Sequence, residues 1–235
     1  MQPMQDPIIA RIEALRRELQ SLARDPAHPP RLLPVTKTQP VERILPLQAA
    51  GITEIAENRV QEIMEKYPAL GGHFAFHLIG QLQTNKIKYI IGKVCAVQSL
   101  DRPALAQAID ARAQAAGVRM PVLLEINQGE AQKGGVPLDQ AEALLRYAAQ
   151  LPGLAVRGLM AVMPQVPDPE TLRPMFANMR KLRERLSDLG IAGVSLDELS
   201  MGMSGDWRIA AQEGATIVRI GSAIFGQRIQ GNSQA

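Results

Sequence analysis

Apolar residues recur along this chain in two alternating periods. From about residue 7 to 24, Ile8, Ile12, Leu15, Leu19 and Leu22 fall three or four apart and draw one helical stripe. Asp6 is placed to cap that helix, and Pro7 suits its first turn. After the break at 24–30, the run 32–36 reads as a short buried strand ending at Lys37. The same unit then repeats: a short apolar run, a polar loop, an amphipathic stretch. Further strands are predicted at 53–56, 76–79, 94–97, 122–126, 154–160, within 194–199 and at 216–220. Helices are predicted at 41–50, 60–70 and 81–91, after Asp101, after Pro137, after Asp168 and at 206–212.

Continuous apolar strands separated by helices imply a parallel sheet covered on both sides. Eight such units in 235 residues predict a (β/α)8 TIM barrel with an extra N-terminal helix. An open doubly wound sheet is the alternative, but no glycine fingerprint follows the first strand. No linker interrupts the chain, so residues 1–235 are expected to form a single domain.

Composition narrows the chemistry. Aromatic residues make up only 3%, so the core must be aliphatic. A formal net charge of +3 is too slight to imply nucleic acid, and Arg180, Lys181, Arg183 and Arg185 read as a solvated helix face. The one cysteine, Cys95, allows no internal disulfide and no cysteine metal cluster, and it reads as a small buried hydrophobe. His28, His73 and His77 show no metal-ligand spacing. With no signal-peptide pattern and no transmembrane run, a cytoplasmic protein without membrane contact is expected.

A lysine at the interior end of a buried strand is paired, holds an anion, or is committed to a Schiff base, and the local sequence leaves equally open a strand-end lysine in solvent. In a barrel of this kind chemistry sits at the C-terminal strand ends, and the loops after the seventh and eighth strands often bind phosphate. Here those loops are Ser200-Met201-Gly202-Met203-Ser204-Gly205-Asp206 and Gly221-Ser222-Ala223. Closure of the barrel would set Lys37 beside both. A lysine next to a phosphate cradle fits a ligand with an aldehyde and a phosphate, either pyridoxal 5′-phosphate (PLP) or a sugar phosphate. Arg219 breaks the last apolar run and either points into the mouth or forms an ion pair with Glu198 or Glu213. Facing a pyridine nitrogen, a guanidinium would keep that nitrogen unprotonated.

Five blocks then carry a resemblance. They are Val35-Thr36-Lys37, the run from Glu57 to Glu62, the run from His77 to Lys86, the run from Ser200 to Asp206, and the run from Val218 to Gly226. In order and spacing they resemble the pyridoxal phosphate homeostasis proteins. The resemblance implies a fold-type III PLP barrel related to the N-terminal domain of alanine racemase, with Lys37 as the Schiff-base lysine. It implies that Met203, Ser204, Gly221 and Ser222 hold the phosphate and that Arg219 meets the pyridine nitrogen. It places Asn58 and His77 near the ring or the mouth, and it matches Lys133 to a loop lysine that could equally be a solvated charge.

The related racemases use a second base, a tyrosine from a β-domain of the partner subunit. This sequence ends just after its eighth unit, and Tyr67, Tyr89 and Tyr147 fall on helical patterns away from the strand ends. The expectation is therefore a monomeric PLP-binding protein without catalytic activity. It would store, buffer or deliver the cofactor, with PLP-dependent apo-enzymes as possible recipients. Two alternatives stay open: a small PLP-dependent amino-acid racemase using Cys95 or His77 as the base, and a Schiff-base aldolase acting on sugar phosphates.

Overall fold

The computed structural model describes residues 6–130 and 133–226. Eight parallel strands follow one another as expected: β1 Arg31–Pro34, β2 Glu54–Glu57, β3 Ala75–Leu78, β4 Val94–Leu100, β5 Met120–Glu125, β6 Leu154–Met160, β7 Glu198–Ser200 and β8 Ile217–Ile220. Their spatial order is β1-β8-β7-β6-β5-β4-β3-β2. The bridge between Val35 and Ala56, with Thr36 N–H donating to Ala56 O at 2.9 Å, joins the two ends of that order. β1 therefore lies directly beside β8, as a closed barrel requires.

The helices form where the stripes predict them, with differences at their ends. α1 Pro7–Leu22 starts at Asp6, whose carboxylate accepts the Ile8 N–H at 2.8 Å. It buries Ile8, Ile12, Leu15 and Leu19 and packs against the helices that follow β7 and β8. The next helices are α2 Val41–Ile44, α3 Val60–Leu70 and α4 Ile87–Ile90. α2 and α4 are single turns extended by 3-10 segments, because Pro46 and the polar run Thr84–Lys86 interrupt their periods. α5 Pro103–Ala115, α6 Ala141–Ala149, α7 Arg173–Ser187, α8 Trp207–Gln212 and α9 Ser222–Phe225 complete the ring. The single turn α9 is too short for its periodicity to show in the sequence. None of the described helices is long and apolar enough to cross a membrane.

The main core lies between strands and helices, where Phe76, Phe176, Trp207 and the aliphatic side chains are buried. The lumen is different. Leu33, Val35, Ala56 and Ile217 form only a small apolar plug there, with Ile79 against it. Much of the remaining interior is a buried polar chain. Arg219 Nη1 donates to Ser200 Oγ at 2.7 Å, and Ser200 Oγ donates to Gln98 Oε1 at 2.7 Å. Gln98 Nε2 meets His77 Nδ1 at 3.1 Å. Ser200 and Gln98 are fully buried, so these bonds replace water that cannot reach them.

Candidate functional site

Strand order brings the ends of β1, β7 and β8 to one side of the barrel mouth. A cavity of about 530 Å³ opens there, and Lys37, Met203, Ser204, Arg219, Gly221 and Ser222 all line it. Six residues singled out from the sequence are thus gathered in one place.

Each is held by its own element. The loop after β7 turns at Gly202, whose φ is +90° and where a Cβ would come within 2.5 Å of Ala210 Cβ. Asp206 closes that loop: its carboxylate accepts the Met203 N–H at 2.6 Å, and its own N–H returns to Met203 O at 3.0 Å. Trp207, 1% exposed, anchors the helix behind. Ser204 Oγ accepts the Ala223 N–H at 3.3 Å and so ties the loop after β7 to the loop after β8.

Arg219 is buried, and both its terminal nitrogens are spoken for by neutral oxygens: Ser200 Oγ, and Ala161 O at 2.7 Å. The ion pair with Glu198 or Glu213 that the sequence left open is not made. Glu198 pairs with Arg31, and Glu213 pairs with Arg173 and Arg180. Burial lowers the Arg219 pKa to about 10, with Glu125 and Asp206 pulling it back up, so the side chain is a cation at neutral pH.

Lys37 is positioned from behind by a network that the sequence does not reveal. Thr36 Oγ1 donates to Glu57 Oε1 at 2.6 Å, Lys66 Nζ donates to the same oxygen at 2.6 Å, and Lys66 Nζ donates to Thr36 O at 2.8 Å. Lys66 also donates to Glu62 Oε2 at 3.0 Å, and that oxygen accepts the Thr38 N–H at 2.6 Å. Thr38 has a φ of +61°, a left-handed conformation that costs a non-glycine residue on the order of 1–2 kcal/mol. The Glu62 bond holds it there. Lys37 is therefore clamped between two residues fixed by one buried ion-pair network. Burial pushes the Glu57 carboxyl up, with Lys66 and Thr36 pulling the other way. For Glu62 burial acts in the same direction, but the Thr38 N–H and Lys66 outweigh it and hold the carboxyl below its ordinary range. Glu57 and Glu62 stand in one of the five blocks that carry the resemblance, yet nothing in their spacing shows that they clamp the lysine.

Two expected residues lie elsewhere. Asn58 reaches the mouth but lines the neighbouring clefts, one with Arg59, Gln81 and Arg102, the other with Ile79, Glu125 and Lys133. Its backbone is fixed by Gly80, where a Cβ would come within 2.1 Å of Asn58 O. His77 does not reach the cavity that Lys37 lines. Its side chain sits in the lumen, Nδ1 against Gln98 and Nε2 facing Glu54 at the N-terminal strand ends. The reason is register: Ile79, two residues on, takes the inward position nearer the mouth. Lys133 pairs with Glu130 at 2.5 Å on the far side of the mouth.

Glu125, at the end of β5, is 8% exposed, and its Oε2 has no hydrogen-bond partner. Burial, reinforced by Asp101 and opposed by Arg219, raises its pKa to about 7. A raised carboxyl pKa means that the folded state holds a proton the unfolded chain has already released. Stability is therefore lost as pH rises from the unfolded value near 4.5 through about 7. Glu125→Gln is expected to remove that dependence and to stabilise the fold above pH 7 by on the order of 3 kcal/mol. Denaturant melts of both proteins at pH 5 and pH 8 measure it.

Residues 10–229 match the family described as alanine racemase, N-terminal domain. The pyridoxal phosphate homeostasis protein of Aquifex aeolicus is 45% identical over 200 residues, 84% of this chain and 87% of that protein. The protein of that name from Pseudomonas aeruginosa is 40% identical over 227 residues, 95% of each chain. The structure of PipY from Synechococcus elongatus with PLP bound aligns with a TM-score of 0.83 at 32% identity, over 93% of this chain and 100% of that one. In sequence and in fold, this chain belongs to the family of pyridoxal phosphate homeostasis proteins.

Proposed function

We propose that this chain binds PLP through Lys37 and acts in intracellular PLP homeostasis, storing, buffering or delivering the cofactor without catalysing a reaction of its own. It does so as a single barrel domain, monomeric and cytoplasmic, with PLP-dependent apo-enzymes as recipients. The observation that carries this reading is the joining of Lys37, Arg219 and two small-residue loops around one cavity.

The residues fit the group. About 530 Å³ falls within the ordinary range for a small-molecule site, ~300–1,000 Å³. Met203, Ser204, Gly221 and Ser222 offer hydroxyls and close backbone approach to a phosphate. Arg219 is a buried cation whose bonds run to neutral oxygens, so it can donate to a pyridine nitrogen and keep it unprotonated. When bound, PLP supplies an electrophilic aldehyde and an electron-accepting ring. Facing the pyridine nitrogen, Arg219 would make the ring a weaker electron acceptor. Asn58 borders the site from the mouth, and His77 supports Arg219 from beneath through Gln98 and Ser200.

Proton transfer at a substrate carbon needs an acid and a base on opposite faces. Besides Lys37, the titratable residues lining the cavity among the described residues are Asp206 and Arg219. Asp206 is taken up by the Met203 N–H, and Arg219 stays a cation at neutral pH and so is no base. Neither Cys95 nor His77 lines the cavity. The test is deuterium exchange at the α-carbon of amino acids in heavy water. The expected rate equals that of free PLP at the same concentration, while the loaded protein restores activity to a PLP-dependent apo-enzyme. Exchange at an enzymatic rate, lost in Lys37→Ala, would overturn the carrier reading in favour of a racemase.

A further inference from the structure

At the N-terminal end of the lumen, away from Lys37, three side chains from neighbouring strands converge. Glu54 opens β2, His77 lies in β3 and Cys95 is the second residue of β4. The Nε2 of His77, a Glu54 carboxylate oxygen and the Cys95 sulfur all lie within 4.8 Å of one another. His77 is 3% exposed, and its Nε2 has no hydrogen-bond partner. Glu54 Oε2, ion-paired with Arg31 Nη1 at 3.1 Å, faces that nitrogen at 3.6 Å, beyond hydrogen-bond length. Buried polar atoms are seldom left like this, because each forfeits the bonds it made to water. An unpartnered imidazole nitrogen aimed at a carboxylate beside a thiol marks a place where a third body fits.

We propose that Glu54, His77 and Cys95 bind one divalent cation of the zinc class. Sulfur, imidazole and carboxylate together are the donor set such an ion takes, and three protein ligands leave a fourth position for water. Bonds of about 2.0–2.3 Å set tetrahedral ligand atoms roughly 3.5 Å apart. A spread of 4.8 Å closes to that with side-chain shifts of about 1 Å.

The surroundings accommodate the ion. Without it Cys95 keeps its proton: burial first, then the Glu54 charge, push the thiol up to about 12. Its sulfur donates to Phe76 O at 3.2 Å. On binding, the S–H bond breaks, the sulfur–metal bond forms, and the proton leaves to water. Arg31 now pairs with Glu54 at 3.1 Å and with Glu198 at 3.0 Å, so it keeps one carboxylate when Glu54 turns to the metal.

The outer partner of the imidazole is also in place. Ligation through Nε2 requires the His77 proton on Nδ1, where Gln98 stands at 3.1 Å. Turning the Gln98 amide over gives that N–H an oxygen acceptor and presents its NH2 group to Ser200 Oγ, which also receives the Arg219 bond. The cation would thus be linked by hydrogen bonds to the guanidinium in the cofactor cavity.

The experiment uses the full-length chain, reduced, stripped with chelator and dialysed against Zn²⁺ alone, with metal content measured afterwards. One equivalent is expected to remain. Co²⁺ in its place should give a thiolate-to-cobalt charge-transfer absorption. Cys95 is the chain's single cysteine, so that band reports on no other sulfur. Zinc should also slow alkylation of Cys95. Cys95→Ser and Glu54→Gln should each weaken binding by on the order of 100-fold. Circular dichroism should show both variants folded, so they carry the test even if His77→Gln fails to fold. Less than one equivalent retained, equal retention by Cys95→Ser, or alkylation unchanged by zinc would each overturn the proposal.

Discussion

Lys37→Ala is expected to abolish covalent attachment of PLP while leaving the barrel folded. The lysine lines the cavity beside both small-residue loops, where an aldehyde would meet it with the phosphate already held. Its removal deletes the bond but leaves Arg219 and the loops intact. Residual affinity through those contacts should persist, weakened by on the order of 100-fold or more, about 3 kcal/mol. Among the described residues the Lys37 ammonium makes no hydrogen bond or ion pair, so the fold loses little with it. Titration with PLP, read by absorbance, should show no covalent spectral change, and the thermal midpoint of the cofactor-free variant should match that of the cofactor-free parent.

The second large effect is expected at Lys66, which lies behind the lysine and outside the cavity that Lys37 lines. Lys66→Met should destabilise the fold by roughly 3–5 kcal/mol, because it leaves fully buried Glu57 without its cation. The same change frees Thr36 O and loosens Glu62, which holds the left-handed Thr38. Affinity for PLP should therefore fall although no cofactor contact has been removed. The sign of the pH dependence follows from Glu57. Burial already raises the Glu57 pKa and Lys66 opposes that, so without Lys66 the penalty grows as pH rises from the unfolded pKa towards the folded one. It shrinks as pH falls from the folded pKa to the unfolded one and the carboxyl takes up a proton. The double variant Lys66→Met/Glu57→Gln should recover part of the lost stability. Denaturant melts of the four proteins, analysed as a double-mutant cycle, measure the coupling.

Much of this arrangement is legible in the sequence itself. Eight apolar runs of strand length alternating with helical stripes leave few ways to bury both, and barrel closure then puts the first and last runs side by side. That single topological step gathers Lys37, Met203, Ser204, Arg219, Gly221 and Ser222. Three features are not legible there, and for one reason. The Lys66 clamp, the Gln98–Ser200 link and the Glu54–His77–Cys95 cluster each join residues from different strands or from a strand and a helix. Spacing along the sequence reports neighbours on one element only. A residue one full β/α unit away is a neighbour in the lumen, but which inward layer it occupies depends on register and bulges. β3 and β4 shift register between Phe76 and His77. Sequence alone therefore sets His77 at the mouth, and for the same reason the cysteine and histidines show no metal spacing.

The decisive measurement is the absorbance spectrum of the purified protein before and after borohydride, followed by peptide mapping of the reduced product. A visible band that disappears on reduction, with the pyridoxyl group on Lys37 and on no other lysine, is the predicted result. A colourless protein that cannot be loaded with PLP, or a pyridoxyl group spread over surface lysines, would contradict the assignment of the cavity and with it the proposed function.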